Sequence, residues 1–249
     1  VSRKHLYNTT IGKVPWFIKR FGASELILKP LRVAFAPVII PLLPPKFFQY
    51  QGKPYPCFYH GYNMTWAGER MIEVPIARSY LDQYSGREVL EVGNVLSHYF
   101  AVSHDILDKF ERGPRIINKD IVEFDPAKRY DLILSISTFE HIGFDDDSDA
   151  SSGKKISDAI AACRRLLKPD GKFVMTVPLG YNPDLDRLIR SSELDTSGEF
   201  YMRRVQKLDW EPTSREEALR CPYKGPFPYA SAILVAEFSK TEDGKPVAT

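Results

Sequence analysis

Cysteine is scarce in this chain, and its placement excludes more than it suggests. Cys57, Cys163 and Cys221 are the only three in 249 residues, far apart and without the paired spacing of a metal site. A disulfide framework is excluded as the source of stability, and a reducing, cytoplasmic setting is the expectation. Long apolar runs are lacking too. The most apolar stretch, Leu26 to Leu43, is interrupted by Lys29, Pro30, Arg32, Pro37 and Pro41, so no transmembrane helix is expected. No secretory signal, internal repeat or low-complexity tract is visible. Charge of one sign is not in excess: 34 Lys/Arg against 32 Asp/Glu leave +2, which gives no overall case for nucleic acid.

What is present is the composition of an ordinary folded protein, 43 % hydrophobic and 27 % charged, long enough to bury a substantial core. The charge is unevenly spread. Residues 1–50 hold eight Lys/Arg and one Glu, a local +7 that leaves −5 for the remainder and suits an acidic partner surface. The basic, apolar segment 14–43 has three readings: peripheral membrane contact, packing on the core, or homo-oligomer formation. Its prolines argue against a long amphipathic helix. Val1 is not a natural start, so an earlier segment is expected.

The chain divides near Tyr84-Ser85-Gly86. Residues 1–85 read as an aromatic, proline-rich extension for substrate recognition, lid or oligomerisation, and 86–249 as the main domain. Within the extension, Lys46 to Tyr59 reads as two strands joined around Gly52, and Trp66 to Tyr80 as a helix in which Pro75 marks a kink or a start. In the main domain, near-continuous apolar runs predict strands near 88–93, 104–108, 115–118, 131–136 and 172–178, buried on both faces. Ile156, Ile160, Cys163 and Leu167 recur at helical spacing, and Lys168-Pro169-Asp170-Gly171 stops that helix and turns the chain. Ser214-Arg215-Glu216-Glu217 is a capping box, and Glu199–Val205 and Ser231–Phe238 complete the strands.

The chemistry concentrates in a few stretches. Glu91-Val92-Gly93-Asn94 follows an apolar strand, where a glycine lets the backbone turn tightly. Asp108 ends the second strand, Asp120-Ile121 follows the third, and Ser137-Thr138-Phe139-Glu140-His141 follows the fourth. A three-glycine dinucleotide fingerprint is excluded, because Val95 and His98 hold the positions it requires. In order and spacing, these segments resemble the class I S-adenosylmethionine-dependent methyltransferase family over about residues 86 to 238.

The resemblance implies an α/β fold with a doubly wound, mostly parallel seven-stranded Rossmann-like sheet, its last two strands an antiparallel pair at one edge. It implies S-adenosylmethionine as cosubstrate, its amino-acid portion over the loop at Gly93 and Asn94, with Glu91 holding the ammonium directly or through water. It places Asp108 on the ribose hydroxyls, Asp120 and Ile121 at adenine, and Ser137 near the transferred methyl. Val95 and Ser97 depart from the family's further glycines, so the loop must follow a variant path.

His141 is the candidate general base, with structural histidine as the other reading. Glu140 either orients it or caps the adjacent helix. His60, Tyr62, Tyr181 and Asn182, in loops that combine flat rings with amides, read either as ordinary loop composition or as a surface suited to a small-molecule acceptor such as a saccharide. Glu69 and Arg70 either reach the donor pocket or form a surface pair. The run Asp145-Asp146-Asp147 with Asp149 reads either as a magnesium site or as a solvated helix start; no metal ligand is assigned. Transfer to a hydroxyl is the expected activity, and a non-catalytic scaffold that keeps the fold is the alternative. A nucleic-acid acceptor is not expected, since no Asn/Asp-Pro-Pro-aromatic motif follows the fourth strand.

Overall fold

A computed structural model of the chain describes residues 25–144 and 152–240. The described part of the extension begins with helix α1, Glu25–Ile39, which runs through both Pro30 and Pro37. This overturns the expectation that prolines prevent a long helix there. Each proline lacks the N–H for one helical bond, a loss the helix tolerates, and Ala36 packs against Met64, Trp66 and Ala67. Strands β1 (Phe47–Tyr50) and β2 (Lys53–Pro56) form the expected antiparallel hairpin. Gln51 and Gly52 both take positive φ, 49° and 72°, the pair that a tight two-residue turn with strand-matching twist demands.

Helix α2 spans Arg70–Gln83, so it starts later than Trp66; residues Tyr62–Ala67 form a separate 3-10 stretch broken by left-handed Asn63 and Met64. Pro75 lies inside α2 and has no N–H for the Met71 carbonyl. The Phe58 N–H bonds that carbonyl instead, at 2.8 Å. The vacancy left by the proline thus fastens the segment after the hairpin to the helix.

Among the described residues the main sheet has eight strands in the order β5-β4-β3-β6-β7-β10-β8-β9. These are β3 (Val89–Val92), β4 (Asp105–Leu107), β5 (Ile116–Ile117), β6 (Tyr130–Ile136), β7 (Leu167–Pro178), β8 (Gly198–Arg204), β9 (Trp210–Thr213) and β10 (Ala232–Ser239). Five are parallel, and β10, β8 and β9 are antiparallel. The α/β doubly wound architecture is as expected, with one strand more than seven. That strand, β9, displaces the expected pair from the edge; Pro212 is tolerated there because an edge strand has one unpaired side.

Helix α3 (Ser152–Leu166) ends where expected. Residues 167–171 then enter β7 directly instead of turning, with an irregularity in the ladder between Tyr130 and Leu132. A Cβ on Gly171 would lie 2.8 Å from the Tyr130 carbonyl oxygen, so this close strand entry needs a glycine. The remaining α-helices among the described residues are α4 (Pro183–Arg190) and the four-residue α5 (Arg215–Ala218), which the Ser214 hydroxyl caps by accepting the Glu217 N–H.

Alternation along the strands sorts the core into two layers. Ile133, Phe173 and Leu234 face α3 and α4 in one cluster, while Leu132, Leu134, Ile136, Ile233 and Val235 face α2 in the other. That second cluster draws on both sides of the 85/86 division: Met71, Ile72, Val74 and Ile76 of α2 pack in it with β6 and β10. A buried polar knot reinforces the join. The Tyr80 hydroxyl donates to Glu237, which also accepts from Gln51 Nε2 at 3.2 Å and Lys172 Nζ at 2.6 Å, while Tyr50 and Tyr80 hydroxyls lie 2.7 Å apart.

Candidate active site

Strand order reverses between β3 and β6, and in open parallel sheets that reversal opens a crevice beyond the carboxyl ends of the strands. The Gly93 loop leaves β3 and the Ser137 loop leaves β6, so the two loops flank it. Gly93 has φ +88°, and a Cβ there would lie 2.2 Å from Thr138 Oγ1, so glycine is required for backbone angle and for the contact between the loops. Thr138 itself is held by donating its hydroxyl to the Ile136 carbonyl at 3.0 Å.

The loop after β3 is built around Glu91. Its buried Oε1 accepts the N–H groups of Val95 and Leu96, both at 2.8 Å, and Oε2 lies 2.8 Å from His104 Nε2. The expectation that Glu91 holds a donor ammonium is therefore corrected: the carboxylate is closed to solvent and engaged in shaping the loop. This is also how the loop dispenses with further glycines. Val95 buries its side chain in the apolar core, the chain winds into a 3-10 turn at Leu96–His98, and the exposed Ser97 hydroxyl donates to Asn94.

Asp108 is similarly engaged. Oδ2 accepts the Asn94 N–H at 2.9 Å, and Oδ1 accepts those of Phe110 and Glu111 at 2.8 and 2.7 Å. An acceptor oxygen has two lone pairs, so one on Oδ2 remains and a two-oxygen grip on a diol does not. The neighbouring Glu111, which the sequence reading passed over, reaches the same place: Oε2 accepts Asn94 Nδ2 at 2.6 Å, and its side chain is 43 % exposed. Asp120 caps the 3-10 turn Ile121–Glu123 by accepting the Val122 N–H at 3.1 Å and pairs with Lys109 at 3.0 Å. Ile121 is buried beside Phe124 in the core cluster.

At the carboxyl ends of β6 and β7 lies a cavity of about 190 Å³. Ser137, Glu140, His141 and Tyr181 line it from one side, Glu69 and Arg70 from the other, with Lys29 contributed by α1. Ser137, at φ 42°, donates its hydroxyl to the wholly buried Glu73, 2.9 and 2.8 Å from the two carboxyl oxygens. Burial pushes the Glu73 carboxyl up to about 8, with Glu69 adding to the rise and Arg70 opposing it. Burial likewise pushes Glu140 up to about 7, with His141 pulling it back. Glu140 Oε1 is 3.6 Å from His141 Nε2, while Oε2 is buried without a hydrogen-bond partner among the described residues. The Tyr181 ring stands edge-on to His141 at 5.0 Å.

The structure thus brings Ser137, Glu140, His141 and Tyr181 together. It corrects the reading of Asn182, whose side chain caps α4 by accepting the Asp184 and Leu185 N–H groups and donates to the Glu140 carbonyl at 3.0 Å. Asn182 is buried and holds Glu140 in position; it is not exposed to an acceptor. His60 and Tyr62 lie by the β3 loop instead of lining this cavity: the His60 ring stacks on Phe58 at 5.8 Å and Tyr62 on His98 at 4.4 Å. Glu73 was missed, though a signal existed in a carboxylate set inside the apolar run Met71-Ile72-Glu73-Val74. Residues 145–150, the acidic run considered for magnesium, lie outside the described residues; among the described residues no His/Cys/Asp/Glu group is arranged for a metal. No described helix is long and apolar enough to cross a membrane.

No protein-family model and no curated protein matches the chain. Among solved structures it is similar to the N-methyltransferase NodS from Bradyrhizobium japonicum WM9, with 15 % identity over 70 % of this chain and 88 % of that one, at a TM-score of 0.44. It is also similar to a TehB-like SAM-dependent methyltransferase from Corynebacterium glutamicum, with 18 % identity over 66 % and 86 % of the chains and a TM-score of 0.37. A third is a Burkholderia thailandensis 1,6-didemethyltoxoflavin-N1-methyltransferase, with 16 % identity over 69 % and 79 % and a TM-score of 0.37. With identities and scores this low, the likenesses carry no argument about chemistry, which rests on the chain's own residues.

Proposed function

We propose that the chain is a class I S-adenosylmethionine-dependent methyltransferase that methylates a hydroxyl of a small molecule, with saccharides the first acceptor class to test. The observation that carries this reading is the buried, unpartnered Glu140 Oε2 beside His141, in a cavity next to the strand-order reversal. S-adenosylmethionine, when bound, supplies an electrophilic sulfonium methyl. The residues present suit it. Glu111, with the remaining lone pair of Asp108, offers acceptors for ribose hydroxyls, and Asp120, with 29 % of its side chain exposed, keeps lone pairs for an adenine amino group.

His141 takes the proton of the attacking hydroxyl. Glu140, 3.6 Å away and desolvated, stabilises the imidazolium that forms, more strongly than an exposed carboxylate could. Tyr181 packs against the imidazole edge and restricts its orientation. Asn182 fixes the backbone at Glu140, so the pair is held before the acceptor arrives.

Calorimetric titration of the folded chain with S-adenosylmethionine and S-adenosylhomocysteine tests the reading, with Glu111→Ala and Asp108→Ala as controls. Saturable binding lost on Glu111→Ala supports it and justifies an acceptor screen. No binding by the folded chain gives the lead to a non-catalytic scaffold.

A further inference from the structure

Helix α1 is inside-out. Its two charged side chains with described placement, Lys29 and Arg32, are half-buried toward the protein, as is Ile39, and Ala36 is buried between them. Every exposed side chain described on the helix is apolar: Leu26, Leu28, Pro30, Leu31, Val33, Ala34, Phe35, Pro37 and Val38. Phe35 is 55 % and Val38 62 % exposed, and Leu42, just beyond the helix, is 78 % exposed. At about 100° per residue, these positions sweep roughly 220° of the circumference. A surface helix in water normally shows the opposite pattern, and an apolar face this broad marks an interaction site.

From this pattern we infer that α1 lies in the interface of an anionic lipid bilayer. A second copy of the chain would cover one side of such a helix, whereas an arc this wide is matched by a medium that surrounds it. Charge points the same way: in the sequence, Arg3, Lys4, Lys13, Lys19 and Arg20 precede the helix with no acidic residue among residues 1–24, complementary to acidic headgroups. At fifteen residues and with Lys29 and Arg32 on its inner side, the helix lies on the membrane and does not cross it. Because α1 also supplies Lys29 to the cavity wall, docking brings the candidate active site to the membrane surface.

The test is sedimentation of the full chain with vesicles of phosphatidylcholine and phosphatidylglycerol, against vesicles of phosphatidylcholine alone. The expected result is pelleting with the anionic vesicles, reduced about tenfold or more in the triple variant Leu31→Ser, Phe35→Ser, Val38→Ser. All three side chains are exposed, and circular dichroism verifies that the variant is folded. A folded wild-type chain that stays in the supernatant with both vesicles overturns the inference. So does a dimer, detected by light scattering, that the triple variant dissociates while neither form binds vesicles. The test needs no methyl donor and stands apart from the activity.

Discussion

The His104 imidazole and the Glu91 carboxylate meet at 2.8 Å with side-chain exposures of 8 % and 0 %, at the two ends of the loop that joins β3 to β4. Glu91 ends its reach on two backbone N–H groups of the following turn. The pair therefore links β4 to the turn after β3 and fixes a loop whose one glycine is Gly93.

Removing one partner should be costly, because the other is left buried. His104→Ala is expected to lower stability by about 3 kcal/mol, roughly 6–12 °C in melting temperature for a chain of this size. Thermal denaturation followed by circular dichroism measures it. S-adenosylhomocysteine affinity should fall in parallel; an unchanged melting point would mean the pair does not organise the loop.

Stability should also fall as pH rises through neutrality. The folded-state pKa of Glu73 is raised from 4.5 to about 8 and that of Glu140 to about 7, so between those limits the folded chain binds more protons than the unfolded one. Unfolding free energy then decreases with pH across that window. The stabilisation is fully present below about 4.5 and lost as pH passes the raised values. Glu73→Gln, a neutral shape mimic, should flatten most of the slope in melting temperatures measured across the window.

Turnover and donor binding should separate at the cavity. With an acceptor from the screen, His141→Ala is expected to lower kcat by about 10²–10⁴-fold while leaving calorimetric affinity for S-adenosylhomocysteine unchanged. Glu140→Gln should lower kcat less and remove the rise in rate through about pH 7, since its carboxyl must ionise to stabilise the imidazolium. Retained turnover in His141→Ala would remove that residue from the mechanism.

Gly93→Ala combines a left-handed backbone with a Cβ 2.2 Å from Thr138 Oγ1. Donor affinity should fall by about tenfold or more with the circular dichroism spectrum kept, because the strain is confined to the two loops.

Where neighbours in the chain decide the outcome, the sequence was a good guide. The apolar runs at 88–93, 104–108, 115–118 and 131–136 are strands in the structure, and the Ser214 cap and the helix through Cys163 are where their patterns place them. Where a distant partner decides, it was not. Asp108 and Glu91 stand at the positions the resemblance picks out, yet their oxygens are engaged by N–H groups whose direction only the folded loop determines. Glu73 looks like a flaw in an apolar helix until Ser137 arrives from β6. Trp210–Thr213 carries no clear strand pattern, since Glu211 and Pro212 argue against one, an objection that an edge position removes.

Pro75 shows how a local defect becomes a connection. By leaving the Met71 carbonyl open, it gives Phe58 a fixed landing point, and α2 carries Arg70 and Glu73 on the turn next to that bond. The segment after the hairpin and the wall of the cavity are thereby moored to each other through one carbonyl. Pro75→Ala would return an N–H to the helix and set it in competition with Phe58, making α2 better formed and less well attached. The residue that most weakens the helix on its own account is the one that decides where the helix is tied.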